Sequence, residues 1–211
     1  MVPVTAEMVA LQLDAVVSDA GVDAVKLGML ATRDIVEVLA DKIDTLTLPH
    51  LVVDPVLQST TGEALLEASA REIFSQEIVP HATVITPNLA EAAVLSSRQV
   101  ANMGEMKTAA KIIYDLGAGN VIVKGGHLCG DATDLLFDGT TFTEFPADRL
   151  KISEAHGTGC TFSAALAAGL ALGKSLAEAV KCAKLFVRRG IEDGFQPGRG
   201  MRLLNHFVTV R

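Results

Sequence analysis

The chain has 211 residues, 49% of them hydrophobic and 20% charged, and this composition predicts a globular protein with a large buried core. Its formal net charge of −7 and the lack of a Lys/Arg cluster argue against nucleic acid or a membrane surface as a partner. No apolar run approaches the roughly 18 residues of a membrane span, and the N-terminus lacks a signal-peptide pattern, so we expect a cytoplasmic protein.

Short β-branched runs alternate along the chain with longer amphipathic or alanine-rich segments. The short runs are nearly continuous in hydrophobicity, which is typical of strands covered on both faces. The predicted strands lie at residues 24–27, 51–54, 83–86 and 121–124. The predicted helices lie at residues 7–18, 33–44, 63–78, 89–96, 105–116, 161–172 and 176–192.

The alternation of these elements predicts the fold class. Thr5 and Ser175 have the chemistry of helix N-caps, and Gly117 and Gly173 that of helix stops. A βαβα order implies right-handed crossovers, so we expect a doubly wound α/β fold, with a mostly parallel sheet between helix layers. Residues 134–145 alternate around a glycine and predict an antiparallel hairpin at the sheet edge. No linker divides the chain, which favours one domain over residues 1–211.

Polar residues come directly after three of the predicted strands. Asp54 and Lys124 end the second and fourth strands, and Asn88 and Glu91 follow the third. Because ligand crevices of open parallel sheets lie outside the carboxyl ends of the strands, we expect these four side chains to converge on one rim. Each also has a purely structural interpretation: a helix cap for Asp54 and Asn88, a first-turn carboxylate for Glu91, and a solvated charge for Lys124.

A glycine-rich turn, HGTGC at residues 156–160, precedes the helix predicted at residues 161–172. A helix start presents unpaired N–H groups and a partial positive charge, and glycines allow anionic oxygens to come close. We interpret the turn as an anion hole with the thiol of Cys160 inside it as a possible base. The alternative is a glycine turn packed against a neighbouring helix, with Cys160 as a small buried hydrophobe.

Seven segments, in chain order, resemble the ribokinase-type superfamily and, within it, the hydroxymethylpyrimidine and phosphomethylpyrimidine kinases of thiamine biosynthesis. The resemblance covers almost the whole chain, and the KGGH and HGTGC motifs are the more specific part of it. The segments are VKLGML at 25–30, VDPV at 53–56, TPNLAE at 86–91, VKGGH at 123–127, HGTGCT at 156–161, AK at 183–184 and NHF at 205–207.

This resemblance implies a ribokinase-like fold and transfer of the γ-phosphoryl group of ATP to a pyrimidine hydroxymethyl group, and then to its monophosphate. By analogy, Cys160 takes the proton from the substrate hydroxyl. The backbone amides of Gly157, Thr158 and Gly159 surround the transferring group, and Lys124 neutralises phosphate charge.

The family analogy also implies a cofactor and further contacts. Asp54 and Glu91 would hold hydrated Mg²⁺ near the phosphates, since this ion prefers oxygen ligands. The remaining matches are Asn88 beside the nucleotide, Lys184 at a phosphate, and Met29 and Val56 in the pyrimidine pocket. A solvated helix face for Lys184 and core packing for Met29 and Val56 are the structural alternatives. The analogy further implies a homodimer.

One departure from the family pattern leaves other functions open. Members usually begin with an additional βα region that contacts the pyrimidine, and Met1 corresponds to an internal position of the pattern. We therefore expect an intact phosphate half of the site and pyrimidine recognition that is weakened or completed by another chain. The first alternative is a kinase for pyridoxal or a related vitamin alcohol. The second is a catalytically impaired module that binds nucleotide or serves assembly.

Overall fold

The computed structural model describes residues 2–58, 62–150 and 155–209, so Met1 lies outside the described residues. Within them, six strands form a sheet whose order follows the chain. Strands β1 to β4 are parallel, and β5 and β6 add an antiparallel hairpin at the edge, as predicted. The strands are β1 (Val25–Leu27), β2 (Leu51–Val53), β3 (Val84–Ile85), β4 (Val121–Val123), β5 (Asp134–Phe137) and β6 (Phe142–Phe145).

Most of the predicted helices are confirmed, and two of them have the predicted bounds. The helices are α1 (Ala6–Asp19), α2 (Arg33–Thr45), α3 (Arg71–Ile73), α4 (Leu89–Ser96), α5 (Met103–Asp115), α6 (Thr158–Ala171) and α7 (Leu176–Glu192). Thr5 and Ser175 cap α1 and α7 with their side-chain oxygens. Gly117 and Gly173 follow α5 and α6 with positive φ angles of 109° and 74°, which suits glycine after a helix.

The single helix predicted at residues 63–78 is wrong. The backbone amides of Leu65 and Leu66 both donate to the carbonyl of Leu57, which holds the start of this segment in a non-helical conformation. The rest is a chain of short turns: a 3₁₀ turn (Ala68–Ala70), α3, a π-helical turn (Phe74–Ile78) and a second 3₁₀ turn (Val79–His81). The apolar spacing reflects burial of this segment against the core and not a regular 3.6-residue helix.

Two apolar layers cover the two faces of the sheet. On one face, residues of α2, α4 and α5 pack against alternate strand residues such as Val53 and Val123. On the other face, α6 and α7 pack against Val52, Val84 and Ile122. The α6 and α7 helices approach closely at Gly169, where a Cβ atom would lie 2.9 Å from the Cβ of Ala179. The predicted sheet between helix layers is therefore confirmed.

The beginning of α6 is tied to the C-terminal segment. Strand β7 (Ala155–His156), just before α6, pairs in parallel with β8 (Arg202–Leu203). The hydroxyl of Thr161 lies 3.0 Å from Nε2 of His206. These contacts hold the glycine-rich turn against the C-terminal segment. Among the described residues, no helix combines the length and apolar character needed to cross a membrane.

Candidate active site

A buried ion pair lies at the carboxyl ends of the central strands. Asp54 follows β2 directly and is 2% exposed, and Lys124 follows β4 with a side chain 14% exposed. The Nζ atom of Lys124 donates a hydrogen bond of 2.8 Å to Oδ1 of Asp54. The prediction that these two residues converge on one rim is confirmed in geometry, and the interpretations of Asp54 as a helix cap and of Lys124 as a solvated charge are wrong.

Asp54 is held from several elements at once. Its Oδ1 lies 3.5 Å from the Thr86 hydroxyl, its Oδ2 accepts a hydrogen bond of 3.1 Å from the Ser163 hydroxyl, and Lys26 lies 3.7 Å from the same Oδ2. Burial raises the pKa of the Asp54 carboxyl, but Lys124, Lys26 and Ser163 outweigh burial and leave the pKa below its usual value. The carboxylate is therefore ionised and fixed in orientation.

Glu91 and Asn88 form a capping box at the start of α4. Oδ1 of Asn88 accepts from the amide of Glu91 at 2.9 Å, and Oε2 of Glu91 accepts from the amide of Asn88 at 2.7 Å. Burial, with the charge of Asp54, raises the pKa of the Glu91 carboxyl above its usual value despite nearby Lys124. The structural interpretation of Asn88 and Glu91 is therefore correct, and the cap also holds the Glu91 carboxyl beside the rim.

The glycine-rich turn is shorter than predicted, because α6 begins at Thr158 and not at Thr161. Within this turn, Gly157 alone adopts the left-handed conformation, with φ of 86°. The first helical hydrogen bond runs from the amide of Thr161 to the carbonyl of Gly157. No side chain caps this helix start within the described chain. The amides of Thr158, Gly159 and Cys160 thus belong to the open first turn, where an anion is favoured.

This first turn lies against the ion pair. A Cβ atom added to Gly159 would be 3.1 Å from Nζ of Lys124. The Ser163 hydroxyl, which bonds Asp54, also lies 3.2 Å and 3.1 Å from the carbonyls of Gly159 and Cys160. Cys160 is exposed and carries a free thiol, so it is not the buried hydrophobe of the alternative interpretation. The carboxylate, the lysine and the thiol-bearing turn therefore share one rim.

Lys184 makes a contact that the sequence did not predict. Its Nζ lies 2.6 Å from both Oδ2 of Asp134 and the carbonyl of Ala132. The other oxygen of Asp134 accepts from the amide of Gly125 at 2.8 Å. Lys184 therefore fastens α7 to the loop after β4, so the interpretation as a solvated helix face is wrong.

The two residues assigned to the pyrimidine pocket follow the ends of the neighbouring strands β1 and β2. Met29 follows β1 and is 42% exposed, whereas Val56 follows β2 and is half-buried. Core packing does not account for Met29, because nearly half of its surface is free. This part of the rim is more open than the part at Lys124.

Lys26 and Ser163 are site residues that sequence reasoning missed. The register pairs Lys26 with Val52, which faces α6, and Asp54 lies two residues beyond Val52 on the same face. Strand alternation alone could thus have placed Lys26 near Asp54. Ser163 gave no such signal, because its position in a small-residue helix is compatible with plain packing.

The rim offers few ligands for a metal ion. Within the described ranges, no group of three or more His, Cys, Asp or Glu side chains could hold a metal. Asp54 and Glu91 supply two carboxylates, which is the number with which Mg²⁺ is commonly bound when phosphate oxygens and water complete its shell. The donor set therefore fits a hydrated magnesium ion that is carried with a polyphosphate.

Nearly the whole chain is similar to known proteins. A family model described as phosphomethylpyrimidine kinase matches residues 1–205. A hydroxymethylpyrimidine/phosphomethylpyrimidine kinase from Rhizobium meliloti is 46% identical over 208 residues, which is 97% of this chain and 78% of the relative.

Two solved structures extend the likeness to the fold. A Bacillus subtilis pyridoxal kinase in complex with ADP superposes with a TM-score of 0.89 at 36% identity, covering 97% of this chain and 77% of that one. A phosphomethylpyrimidine kinase from Clostridium difficile gives a TM-score of 0.77 at 32% identity, covering 88% of this chain and 76% of that one.

Proposed function

Since the chain belongs to the phosphomethylpyrimidine kinase family, we propose that it transfers the γ-phosphoryl group of ATP to hydroxymethylpyrimidine and then to its monophosphate, as a step of thiamine biosynthesis. The observation that carries the proposal is the joint position of Asp54, Lys124 and the first turn of α6. Phosphoryl transfer depends mainly on positioning and on charge neutralisation, and this rim supplies both.

Each part of the rim has a separate task in the first transfer. The substrate hydroxyl oxygen attacks the γ-phosphorus as the bond to the β,γ-bridging oxygen breaks, so ADP leaves. The proton of the hydroxyl passes to the thiolate of Cys160. Lys124 and the amides of Gly157, Thr158 and Gly159 balance the negative charge that develops on the transferring group.

Asp54 and Glu91 would hold Mg²⁺, with Asn88 fixing Glu91 through the capping box. The ion would supply charge neutralisation on the β- and γ-phosphates. Asp54 is already ionised. The ammonium of Lys124, which lies beside it, would contact the phosphate oxygens together with the ion.

The other members of the proposed site act at its margins. Lys184 has two acceptors within 2.6 Å and three N–H donors, so one donor stays free for a nucleotide phosphate. Met29 and Val56 would line the pyrimidine pocket. We place the protein in the cytoplasm as a homodimer. The homodimer is supported by a set of exposed apolar side chains on and before α1, which are Val2, Val4, Met8, Leu11 and Val16.

A second candidate is a pyridoxal kinase. The structure with the TM-score of 0.89 is that of a pyridoxal kinase, so the same fold serves another hydroxymethyl heterocycle. The open part of the rim around Met29 is where the two substrates would be distinguished. Membership of a kinase family favours either enzyme over a non-catalytic module.

The test is steady-state turnover with Mg-ATP on three acceptors: hydroxymethylpyrimidine, its monophosphate and pyridoxal. The proposal expects the highest kcat/KM on the two pyrimidines. A preference for pyridoxal would replace the proposal with the second candidate, and no turnover on any acceptor would contradict both. Full turnover by a strictly monomeric sample would contradict the expectation that another chain completes the pocket.

A further inference from the structure

Lys26 lies at the junction between the ion pair and the open part of the rim. Its Nζ is 3.7 Å from Oδ2 of Asp54, and its side chain is 22% exposed. This distance is too long for a hydrogen bond, since a good N–H···O bond is 2.7–3.2 Å. In the described chain, Asp54 is the one charged partner assigned to Lys26, and no hydrogen bond is assigned to its ammonium.

The place that Lys26 occupies depends on a glycine. A Cβ atom on Gly28 would lie 2.5 Å from Nζ of Lys26, so a side chain at Gly28 would push the ammonium away. Met29, the exposed residue assigned to the pyrimidine pocket, is the next residue in the chain. The ammonium thus lies between the Asp54 carboxylate and the segment that faces the acceptor.

The acceptor carries different charges in the two transfers. In the first, it is a neutral alcohol, and its hydroxyl proton needs a base. In the second, it is a phosphate monoester, whose second pKa is about 6, so its attacking oxygen already carries negative charge at neutral pH. The second transfer therefore needs less help from a base and more cationic charge, because two phosphates must approach each other.

Resting on the proposed function, we propose that Lys26 binds the phosphate of the phosphorylated acceptor and so provides a contact that only the second transfer uses. Lys124 is already hydrogen-bonded to Asp54 and faces the glycine turn. Lys26 is the second ammonium of the rim, and its donors are free to meet an additional phosphate. An ammonium against a dianionic phosphate gives a charge-assisted contact that a neutral alcohol lacks.

The test compares Lys26→Met with Lys42→Met. Lys42 is a matched control because its side chain is 21% exposed and also pairs with a carboxylate, that of Asp14. It lies at the end of α2, on the side of the sheet opposite to the rim. Steady-state kinetics are measured on the pyrimidine alcohol and on its monophosphate, and calorimetry without ATP and Mg²⁺ measures the affinity for each acceptor.

For Lys26→Met, we expect the ratio of kcat/KM on the monophosphate to kcat/KM on the alcohol to fall about tenfold or more, with a matching loss of affinity for the monophosphate. Lys26→Arg, which keeps the charge, should restore most of this ratio, and Lys42→Met should leave it at the wild-type value. In the crossed experiment, Cys160→Ala should lower the first transfer more than the second.

Equal losses on both acceptors would overturn the inference, because Lys26 would then act only through Asp54. An unchanged ratio with unchanged affinities would also overturn it. These results are distinct from a failure of the proposed function, which appears as wild-type protein that phosphorylates neither pyrimidine.

Discussion

The proposed phosphate half of the rim, around Asp54 and Lys124, and its proposed acceptor half, around Met29, are built in different ways. The phosphate half stands on the central strands β2 and β4 and on the buried face of α6, and its charges are paired within the core. The acceptor half stands next to β1, which pairs only with β2 among the described strands, and there Met29 is exposed. Paired charges therefore fix the side chains around Asp54, whereas Met29 lies at an exposed strand edge, where we expect different acceptors to be distinguished.

The largest effect is expected from Cys160→Ala. Loss of a general base lowers kcat by about 10²- to 10⁴-fold, whereas ATP affinity and thermal stability should stay unchanged because the side chain is exposed. Stopped-time assays on the alcohol measure kcat, and Cys182→Ala on α7 is the control. Unchanged activity of Cys160→Ala would show that this thiol is not the general base of the transfer.

Gly159→Ala should have the next largest effect. The new Cβ would lie 3.1 Å from Nζ of Lys124, so the ammonium must shift, and we expect the KM for ATP to rise about ten- to thirtyfold. Gly104→Ala is a matched control because Gly104 is the second residue of α5, as Gly159 is of α6.

Alanine is intrinsically better than glycine in a helix by about 1 kcal/mol. Neither of these two variants should therefore lose thermal stability. A rise in KM for both variants, or for neither, would mean that the contact with Lys124 does not govern ATP binding.

Met29→Ala tests the acceptor half and should have a smaller effect. Loss of apolar contact with the pyrimidine should raise its KM about three- to tenfold and leave the KM for ATP unchanged. Leu172→Ala is a suitable control, since Leu172 is an exposed apolar residue at the end of α6 that lies away from the glycine-rich turn. A change in the KM for ATP with an unchanged KM for the pyrimidine would place Met29 beside the nucleotide and contradict this assignment.

The smallest of these effects is on the stability of the metal-free protein, and it is expected in Glu91→Gln. Burial raises the pKa of the Glu91 carboxyl above its usual value of 4.5, so the folded state holds this proton more tightly than the unfolded chain does. The protonated carboxyl therefore makes its full contribution to the free energy of unfolding below the usual pKa. This contribution is lost as the pH rises through the raised pKa.

Glutamine keeps an oxygen for the capping bond and does not titrate. The Tm of Glu91→Gln relative to wild type, measured in EDTA, should therefore improve as the pH rises from 4.5 towards neutrality. A constant difference in Tm over this range would show that the carboxyl titrates normally.

Local signals explain which parts of the fold were predictable. The bounds of α4 and α7 were predicted because each begins with a capping box, Asn88 with Glu91 and Ser175 with Glu178, which fixes the first turn. The start of α6 was misplaced because Thr158 and Gly159 have the composition of a turn although they are helical. The segment before β3 was mispredicted because the bonds from Leu65 and Leu66 to Leu57 leave no periodic pattern.

The site was predictable where strand ends decide it. The convergence of Asp54 and Lys124 follows from parallel strands that end at one edge. The bond between Ser163 and Asp54 joins residues 109 positions apart, and the pair of Lys184 and Asp134 joins residues 50 apart. Such contacts depend on how α6 and α7 pack on the sheet, which no local pattern encodes.

The most direct test of the central claim is the affinity for ATP of Lys124→Met, measured by calorimetry beside Lys107→Met. Lys107 is a surface lysine paired with Glu144 at 2.8 Å. Lys124→Met removes the hydrogen-bonded positive charge from the buried Asp54 carboxylate, which destabilises the fold. The double variant Asp54→Asn/Lys124→Met is therefore measured as well, because it removes both charges. The account predicts affinity at least about tenfold weaker in both Lys124 variants and wild-type affinity in Lys107→Met. Wild-type affinity in folded Lys124→Met would contradict it.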